Sequence, residues 1–328
     1  MSEVRAKKAL GQHFLVDLNI ARKICDALSG GVRPEAGAET RAVAAGSADA
    51  GAEARTKATG TADADAETRR GVAASADARL AADTTAAGAP AAAEEERGGA
   101  VPCDVLEVGC GMGVLTQFLL RRGDITTYGA EIDPESVEYL HAHFPEFAPR
   151  LIEGDFLKMN LRERFPRGLK IIGNFPYNIS SQIFFKVLEH RDLVPECVGM
   201  IQKEVAVRIA EPPGSKEYGI LSVLLQAWYD IEYLFTVNET VFNPPPKVKS
   251  AVIRLRRNSV GRLGCDEALF VKVVKASFGQ RRKMIRNSLR TVFGDFGGAE
   301  HPFFTQRAEQ LSVADFVQLT NWVAANRK

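Results

Sequence analysis

The tetrapeptide Asn174-Phe175-Pro176-Tyr177 joins a side-chain amide, a proline-fixed backbone and an aromatic ring, a combination suited to a planar exocyclic amine such as N6 of adenine. That nitrogen is a poor nucleophile because its lone pair is delocalised into the ring. Two acceptors on its N–H groups localise electron density on the nitrogen, and no base is needed. The Asn174 side-chain oxygen can be one acceptor and the Phe175 carbonyl the other. Pro176 biases Phe175 toward an extended conformation, which leaves that carbonyl free. Tyr177 offers a face for a flipped-out base, worth about 1–3 kcal/mol. Elsewhere in a chain, Asn-x-Pro-Tyr reads as a proline turn with a core tyrosine; its place at a strand end gives it chemistry.

Three stretches upstream would bring a nucleoside-like ligand to the same place. Glu107-Val108-Gly109-Cys110-Gly111-Met112-Gly113 closes a strand pattern and opens a helix pattern. Gly109 and Gly111 let the backbone turn tightly and approach a ligand, with helix N-terminal amides facing it. Twenty-two residues after Gly109, Glu131 of Ala130-Glu131-Ile132-Asp133 ends the next strand, where a carboxylate can accept from both hydroxyls of a ribose. Asp155, in Glu153-Gly154-Asp155-Phe156, ends the third and can accept from an adenine amino group. These residues indicate an adenosine-type cofactor and leave both a nicotinamide dinucleotide and S-adenosyl-L-methionine open. Nothing near the loop supplies an acid or base for hydride transfer, which disfavours the former.

Alternating β and α patterns position these residues. Strands are expected at Cys103–Gly109, Thr126–Ile132, Arg150–Glu153, Leu169–Gly173 and Val194–Gln202, and helices at Val114–Arg122, Pro134–His143, Ser180–His190 and Lys203–Ala210. This is the signature of an α/β fold with a mostly parallel sheet. Tyr229–Val237 and Val248–Leu255, with no helix between them, read as an antiparallel hairpin at one sheet edge, joined through Phe242–Lys247. From Asn258 onward only helical patterns occur, the last at Ser312–Asn326 with Ser312 as N-cap. Two domains follow, 1–257 and a small all-helical 258–328. No internal repeat or heptad is present, and a monomer is expected.

The chain has 328 residues, 45% hydrophobic and 25% charged, enough for a full core. Its polar, basic start and the lack of a long apolar run predict a cytoplasmic protein with no membrane contact. The five cysteines include no C-x-x-C pair, and His141 and His143 have no ligand-spaced partners, so neither a disulfide framework nor a metal site is expected. The net charge of +1 averages unlike parts. Residues 31–100 hold twelve acidic and eight basic side chains and no aromatic, so the remainder stands near +5. Such a stretch cannot bury enough apolar surface to offset its ordering entropy and is expected to be a disordered insertion.

With its context, the tetrapeptide resembles the N6-adenine methyltransferase signature, and the whole chain resembles the ribosomal RNA adenine dimethyltransferase family, most of all its bacterial small-subunit branch. The matching stretches are Lys8–Leu15, the glycine loop, Glu131-Ile132-Asp133, Gly173–Ser180, Gln202–Ala206, Tyr218–Val223, Phe242–Val252 and Phe278–Leu289. The resemblance implies a Rossmann-like class I methyltransferase sheet and S-adenosyl-L-methionine as methyl donor. It further implies dimethylation of N6 on two adjacent adenosines near the 3′ end of small-subunit (16S) ribosomal RNA, within the immature small subunit. Cofactor contacts carry over to His13, Leu15, Gly109, Gly111, Glu131, Asp155 and Asn174, and the catalytic role to Asn174, Phe175, Pro176 and Tyr177. His13 stands where the family often has Asn, and Phe175 where it often has Leu; the 31–100 insertion is a third departure. The alternatives are a related enzyme acting on large-subunit RNA or on DNA, and a non-catalytic ribosome-assembly or transcription-related factor that retains the fold.

RNA contacts are expected in the run Lys275 to Arg290, where Lys275, Arg281, Arg282, Lys283, Arg286 and Arg290 occur with no acid. On one helix Arg282, Arg286 and Arg290 would share a face, with Ile285 and Leu289 beside them turned to the core. A basic run is ordinarily a solvated face; beside an adenine-type site, phosphate binding explains it better. Arg5, Lys7 and Lys8 add basic character at the N-terminus.

Overall fold

The computed structural model describes residues 4, 6, 7, 10–30 and 102–327; Arg5, Lys8 and the insertion expected at 31–100 lie outside them. In chain order the elements are β1 Phe14–Leu15, α1 Leu18–Ala27, β2 Cys103–Val108, α2 Thr116–Leu119, β3 Ile125–Glu131, α3 Pro134–His143, β4 Leu151–Glu153, α4 Leu161–Arg164, β5 Lys170–Asn174, α5 Ser180–Glu189, β6 Glu196–Gln202, α6 Lys203–Ala210, α7 Ile220–Gln226, β7 Tyr229–Val237, β8 Phe242–Asn243, β9 Ser250–Arg257, α8 Glu267–Gly279, α9 Ile285–Phe293 and α10 Val313–Asn326.

Seven strands form one sheet in the order β4-β3-β2-β5-β6-β9-β7. β2 to β6 are mutually parallel, while β9 runs antiparallel to β6 and to β7. The chain winds outward from β2 through β3 to β4, then returns to place β5 on the other side of β2. Ligands of such sheets bind at this reversal, outside the carboxyl ends of the strands. One apolar cluster runs from Leu106 and Ile171 of the sheet through Tyr218 and Leu224 to Phe270, Leu289 and Phe316 of the last helices. Among the described residues no helix is long and apolar enough to cross a membrane.

Three local features differ from the sequence reading. The helix expected from Val114 shrinks to Thr116–Leu119, because Gly111 and Gly113 both take left-handed φ (53° and 74°) and the loop closes before a helix can begin. Ile220–Gln226 is helical; its mostly apolar character hid the period that marks a surface helix. β7 and β9 do pair at the sheet edge, but the link between them leaves the sheet, and β8 within it pairs antiparallel with β1. That two-residue pairing ties the N-terminal segment to the site. The expected N-cap of the last helix is present, with Ser312 Oγ accepting from Asp315 N at 3.2 Å and the Asp315 carboxylate accepting from Ser312 N at 2.9 Å.

At the opposite end of the sheet, where α1 ends, three cations hold its last carbonyls. Arg122 donates to Cys25 O, Leu28 O and Ser29 O, Lys170 to Ser29 O and Gly30 O, and Arg254 to Ala27 O. These are the groups a helix C-terminus leaves unpaired. Gly30 therefore lies at the amino ends of the strands, opposite their carboxyl ends.

Candidate active site

A pocket opens at the carboxyl ends of β2, β3, β4 and β5. His13, Gly109, Gly111, Glu131, Asp155, Asn174, Phe175, Pro176 and Tyr177 all line it. Leu15 does not: its side chain is 3% exposed and packs in the apolar layer that includes Phe242. Among the described residues no lysine or arginine lines it.

Glu131, the last residue of β3, is buried and locked in one orientation. Its Oε2 accepts from Gly111 N at 2.8 Å, and its Oε1 from Ile132 N at 2.9 Å and Asp133 N at 2.8 Å. Burial raises its pKa above the ordinary carboxylate value even though these N–H groups pull it down. Asp155 spends Oδ1 on Leu157 N at 2.9 Å as the cap of a 3₁₀ turn, so its orientation too is fixed. Behind the glycine loop, Glu107 is 1% exposed, and burial pushes its carboxyl up to about 8; the nearby Glu131 adds to the rise and a 2.6 Å bond from Thr116 Oγ1 opposes it.

Asn174 ends β5, and its Nδ2 donates to His13 O at 3.0 Å. This assignment of the amide turns Oδ1 into an acceptor without a protein partner among the described residues. Phe175 N donates to Met200 O at 3.0 Å on β6, whereas its carbonyl has no partner among the described residues. The Phe175 ring is 1% exposed and lies across two glycines. A Cβ at Gly173 would come within 2.8 Å of Phe175 Cε1, and one at Gly199 would collide with Cε2 and lie 2.9 Å from Cδ2. Phe184 closes the socket edge-on at 5.9 Å between centroids. Gly199 escaped the sequence reading because it sits mid-strand in an apolar run, where a glycine signals only close approach of something unnamed. Tyr177 is half-buried, with its hydroxyl 2.6 Å from Ser250 Oγ and its ring 5.4 Å from that of His13. His13 Nδ1 lies 2.9 Å from Pro244 O.

The N-terminal wall of the pocket is clamped by residues to which sequence gave no such role. Asp133, fully buried, forms an ion pair with Lys7 and accepts from Ser136 Oγ at 3.0 Å and Gln12 Nε2 at 3.4 Å. Burial alone would raise the Asp133 pKa, and these donors outweigh it and lower it. Lys7, counted in the basic character of the N-terminus, is thus an anchor, also pairing with Glu135 at 3.1 Å. Asp133 precedes Pro134 at the start of α3, yet its carboxylate caps nothing there; only the folded N-terminal segment reveals its use.

The basic run behaves differently from its expected form. α8 ends at Gly279 and α9 starts at Ile285, so Arg282 does not share a helical face with Arg286 and Arg290. The break is held by Arg281, which donates to the carbonyls of Lys216 and Tyr218. Ile285 and Leu289 are fully buried, as expected. Arg286 pairs with Glu300, and Arg290 with Asp295 at 2.9 Å, acids that lie beyond the run. The Lys275 ammonium rests 5.8 Å from the Phe185 ring centre. Arg282 and Lys283 are exposed, and their side chains have no ion-pair or hydrogen-bond partner among the described residues.

A profile of ribosomal RNA adenine dimethylase matches residues 102–325. The chain belongs to the ribosomal RNA adenine dimethylase family. A small-subunit ribosomal RNA methyltransferase A of Parabacteroides distasonis is 61% identical over 218 residues, covering 66% of this chain and 81% of the relative. The like-named protein of Porphyromonas gingivalis is 47% identical over 324 residues, 98% of each chain. That match runs through residues 31–100, so the insertion is not peculiar to this sequence. Among solved structures, a dimethyladenosine transferase of Plasmodium falciparum is 26% identical with a TM-score of 0.56, covering 68% of this chain and 90% of its own. This family member therefore has the class I methyltransferase fold expected from its resemblance.

Proposed function

We propose that the chain dimethylates N6 of two adjacent adenosines near the 3′ end of small-subunit (16S) ribosomal RNA, using S-adenosyl-L-methionine, and works as a cytoplasmic monomer on immature small subunits. The observation that carries this reading is the pair of unpaired acceptors, Asn174 Oδ1 and the Phe175 carbonyl, on consecutive residues lining the pocket beside Tyr177. The pocket fits the cofactor by charge. Glu131 and Asp155 line it, and among the described residues no lysine or arginine faces in. A cationic sulfonium nucleoside is favoured there, whereas the pyrophosphate of a nicotinamide dinucleotide would be repelled.

When bound, S-adenosyl-L-methionine supplies an electrophilic methyl group on sulfur. Glu131 is placed to accept from the ribose hydroxyls and Asp155 from the cofactor's adenine amine, while Gly109 and Gly111 allow close backbone approach. The target adenine stacks on Tyr177, which Ser250 steadies. In the first transfer Asn174 Oδ1 and the Phe175 carbonyl accept the two N6–H groups, aiming the nitrogen lone pair into the pocket; one proton passes to solvent after each methyl is gained, and one N6–H remains to be held in the second transfer. Positioning of this kind needs no general base. Residues 1–257 form the catalytic part and 258–328 the helical RNA-facing part, where Arg282 and Lys283 are the cations free to meet phosphates, with Lys275, Arg281, Arg286 and Arg290 supporting.

The test is mass spectrometry of RNA from separated small and large subunits of cells lacking the gene, each treated with the purified protein and labelled S-adenosyl-L-methionine. Dimethyladenosine should appear in small-subunit RNA. Label confined to large-subunit RNA, or its absence, would overturn the reading.

A further inference from the structure

Three lysines beside the pocket mouth carry charge that no described contact uses. Tyr177 Oη sits 2.6 Å from Ser250 Oγ, so the start of β9 abuts the ring on which the target base stacks. The residue before it, Lys249, accepts from Lys203 N at 2.9 Å, which brings the start of α6 to the same spot. Lys247 lies two residues earlier, on the loop whose Pro244 carbonyl meets His13 at 2.9 Å. Lys203, Lys247 and Lys249 are all exposed, and none of their ammonium groups has an ion-pair or hydrogen-bond partner among the described residues. The neighbouring Glu204 is taken by Arg208 at 2.8 Å.

Two segments more than forty residues apart in sequence thus converge beside Tyr177, bringing three exposed lysines to one side of the pocket. Scattered solvated lysines would explain each singly, but not their convergence on the mouth of a pocket walled by carboxylates. Extruding a base requires the strand on both sides of it to be held, and phosphate contacts do that work whatever the sequence. Arg286 and Arg290 already have carboxylate partners, which RNA would have to displace.

We infer that Lys203, Lys247 and Lys249 grip the phosphates flanking the target adenosine, holding the extruded strand at the mouth. The inference rests on the proposed function and adds an RNA contact surface to it.

The test compares wild type with the K203Q/K247Q/K249Q variant, measuring binding to unmodified small ribosomal subunits between about 50 and 200 mM salt, with calorimetry of S-adenosyl-L-methionine binding alongside. The slope of log affinity against log salt should become shallower by about two, at roughly 0.7 per phosphate contact on a single strand, with cofactor binding unchanged. Wild-type binding together with an unchanged slope in the variant overturns this inference alone. Wild-type protein that binds the cofactor but not the subunit overturns the functional reading and the inference with it.

Discussion

The pocket and the α8–α9 region both hold charged and polar groups expected to act together, yet they spend them differently. In the pocket each ligand-facing group is fixed by a second partner: Glu131 by three backbone N–H groups, Asp155 by Leu157 N, Asn174 by His13 O and Tyr177 by Ser250. In the helical region Arg286 and Arg290 hold exposed acids, and Arg282 lies off their helix. The difference is one of origin. Strand ends in a parallel sheet bring residues together whenever the strands are in register, so residues separated by whole βα units meet in space. A helical face exists only if the helix is unbroken, and one tertiary contact, from Arg281 to the 216–218 carbonyls, removes that condition.

The largest effect expected from breaking the pocket side is that of Asn174→Ala. Removing one of two positioned acceptors should lower the rate of methyl transfer about 10²–10³-fold, by analogy with loss of a preorganised polar group elsewhere. Single-turnover kinetics should show the loss in the chemical step, with RNA binding little changed. A rate within threefold of wild type would show that Asn174 does not hold the amine.

A second contrast concerns pH. Exposed pairs such as Arg290–Asp295 are screened and contribute little, whereas Glu107 is fully buried with its carboxyl pushed up to about 8 from an ordinary 4.5. The folded state then holds a proton that the unfolded state has released, so this contribution to stability is complete below about 4.5 and is lost as pH rises to about 8. Glu107→Gln keeps an acceptor for Thr116 and cannot ionise. It should gain on wild type as pH rises across that window, by a few kcal/mol at most. Urea midpoints at pH 5 and pH 8.5 would check this, and parallel curves for the two proteins would refute it.

The Phe175 socket gives a third, smaller effect. Gly199→Ala places a methyl group against a ring held between two glycines and Phe184, with no room to swing. Overpacking of this kind costs about 1–3 kcal/mol, and the displaced ring carries the Phe175 carbonyl with it. Stability and turnover should both fall. Phe175→Leu, which removes the offending edge, should restore much of each in the double variant, and a strictly additive double variant would show that the socket does not set the carbonyl.

What sequence could express explains these outcomes. The order of strands, the glycine loop, Glu131, Asp155 and Asn174 were legible because each is marked within a few residues by a strand end or turn. Gly199 and Asp133 were not, since their partners Phe175 and Lys7 lie 24 and 126 residues away and nothing local marks the pairing. The β1–β8 pairing is two residues long and carries no period. The acids that pair with Arg286 and Arg290 lie beyond the run that sequence examined as a unit.

The smallest effect should come from R286Q/R290Q, which tests the helical side of the comparison directly. Each arginine already has a carboxylate partner on an exposed surface, and such pairs contribute about 0–1 kcal/mol. Thermal stability should shift little, and because RNA must compete with Glu300 and Asp295 for these cations, neutralising them should weaken subunit binding only a few-fold. R282Q/K283Q removes two unpaired charges from the break beside them and should weaken it more. If the two double variants lose affinity equally, ion pairing does not determine which cations meet RNA, and the helical region spends its charge as uniformly as its sequence first suggests.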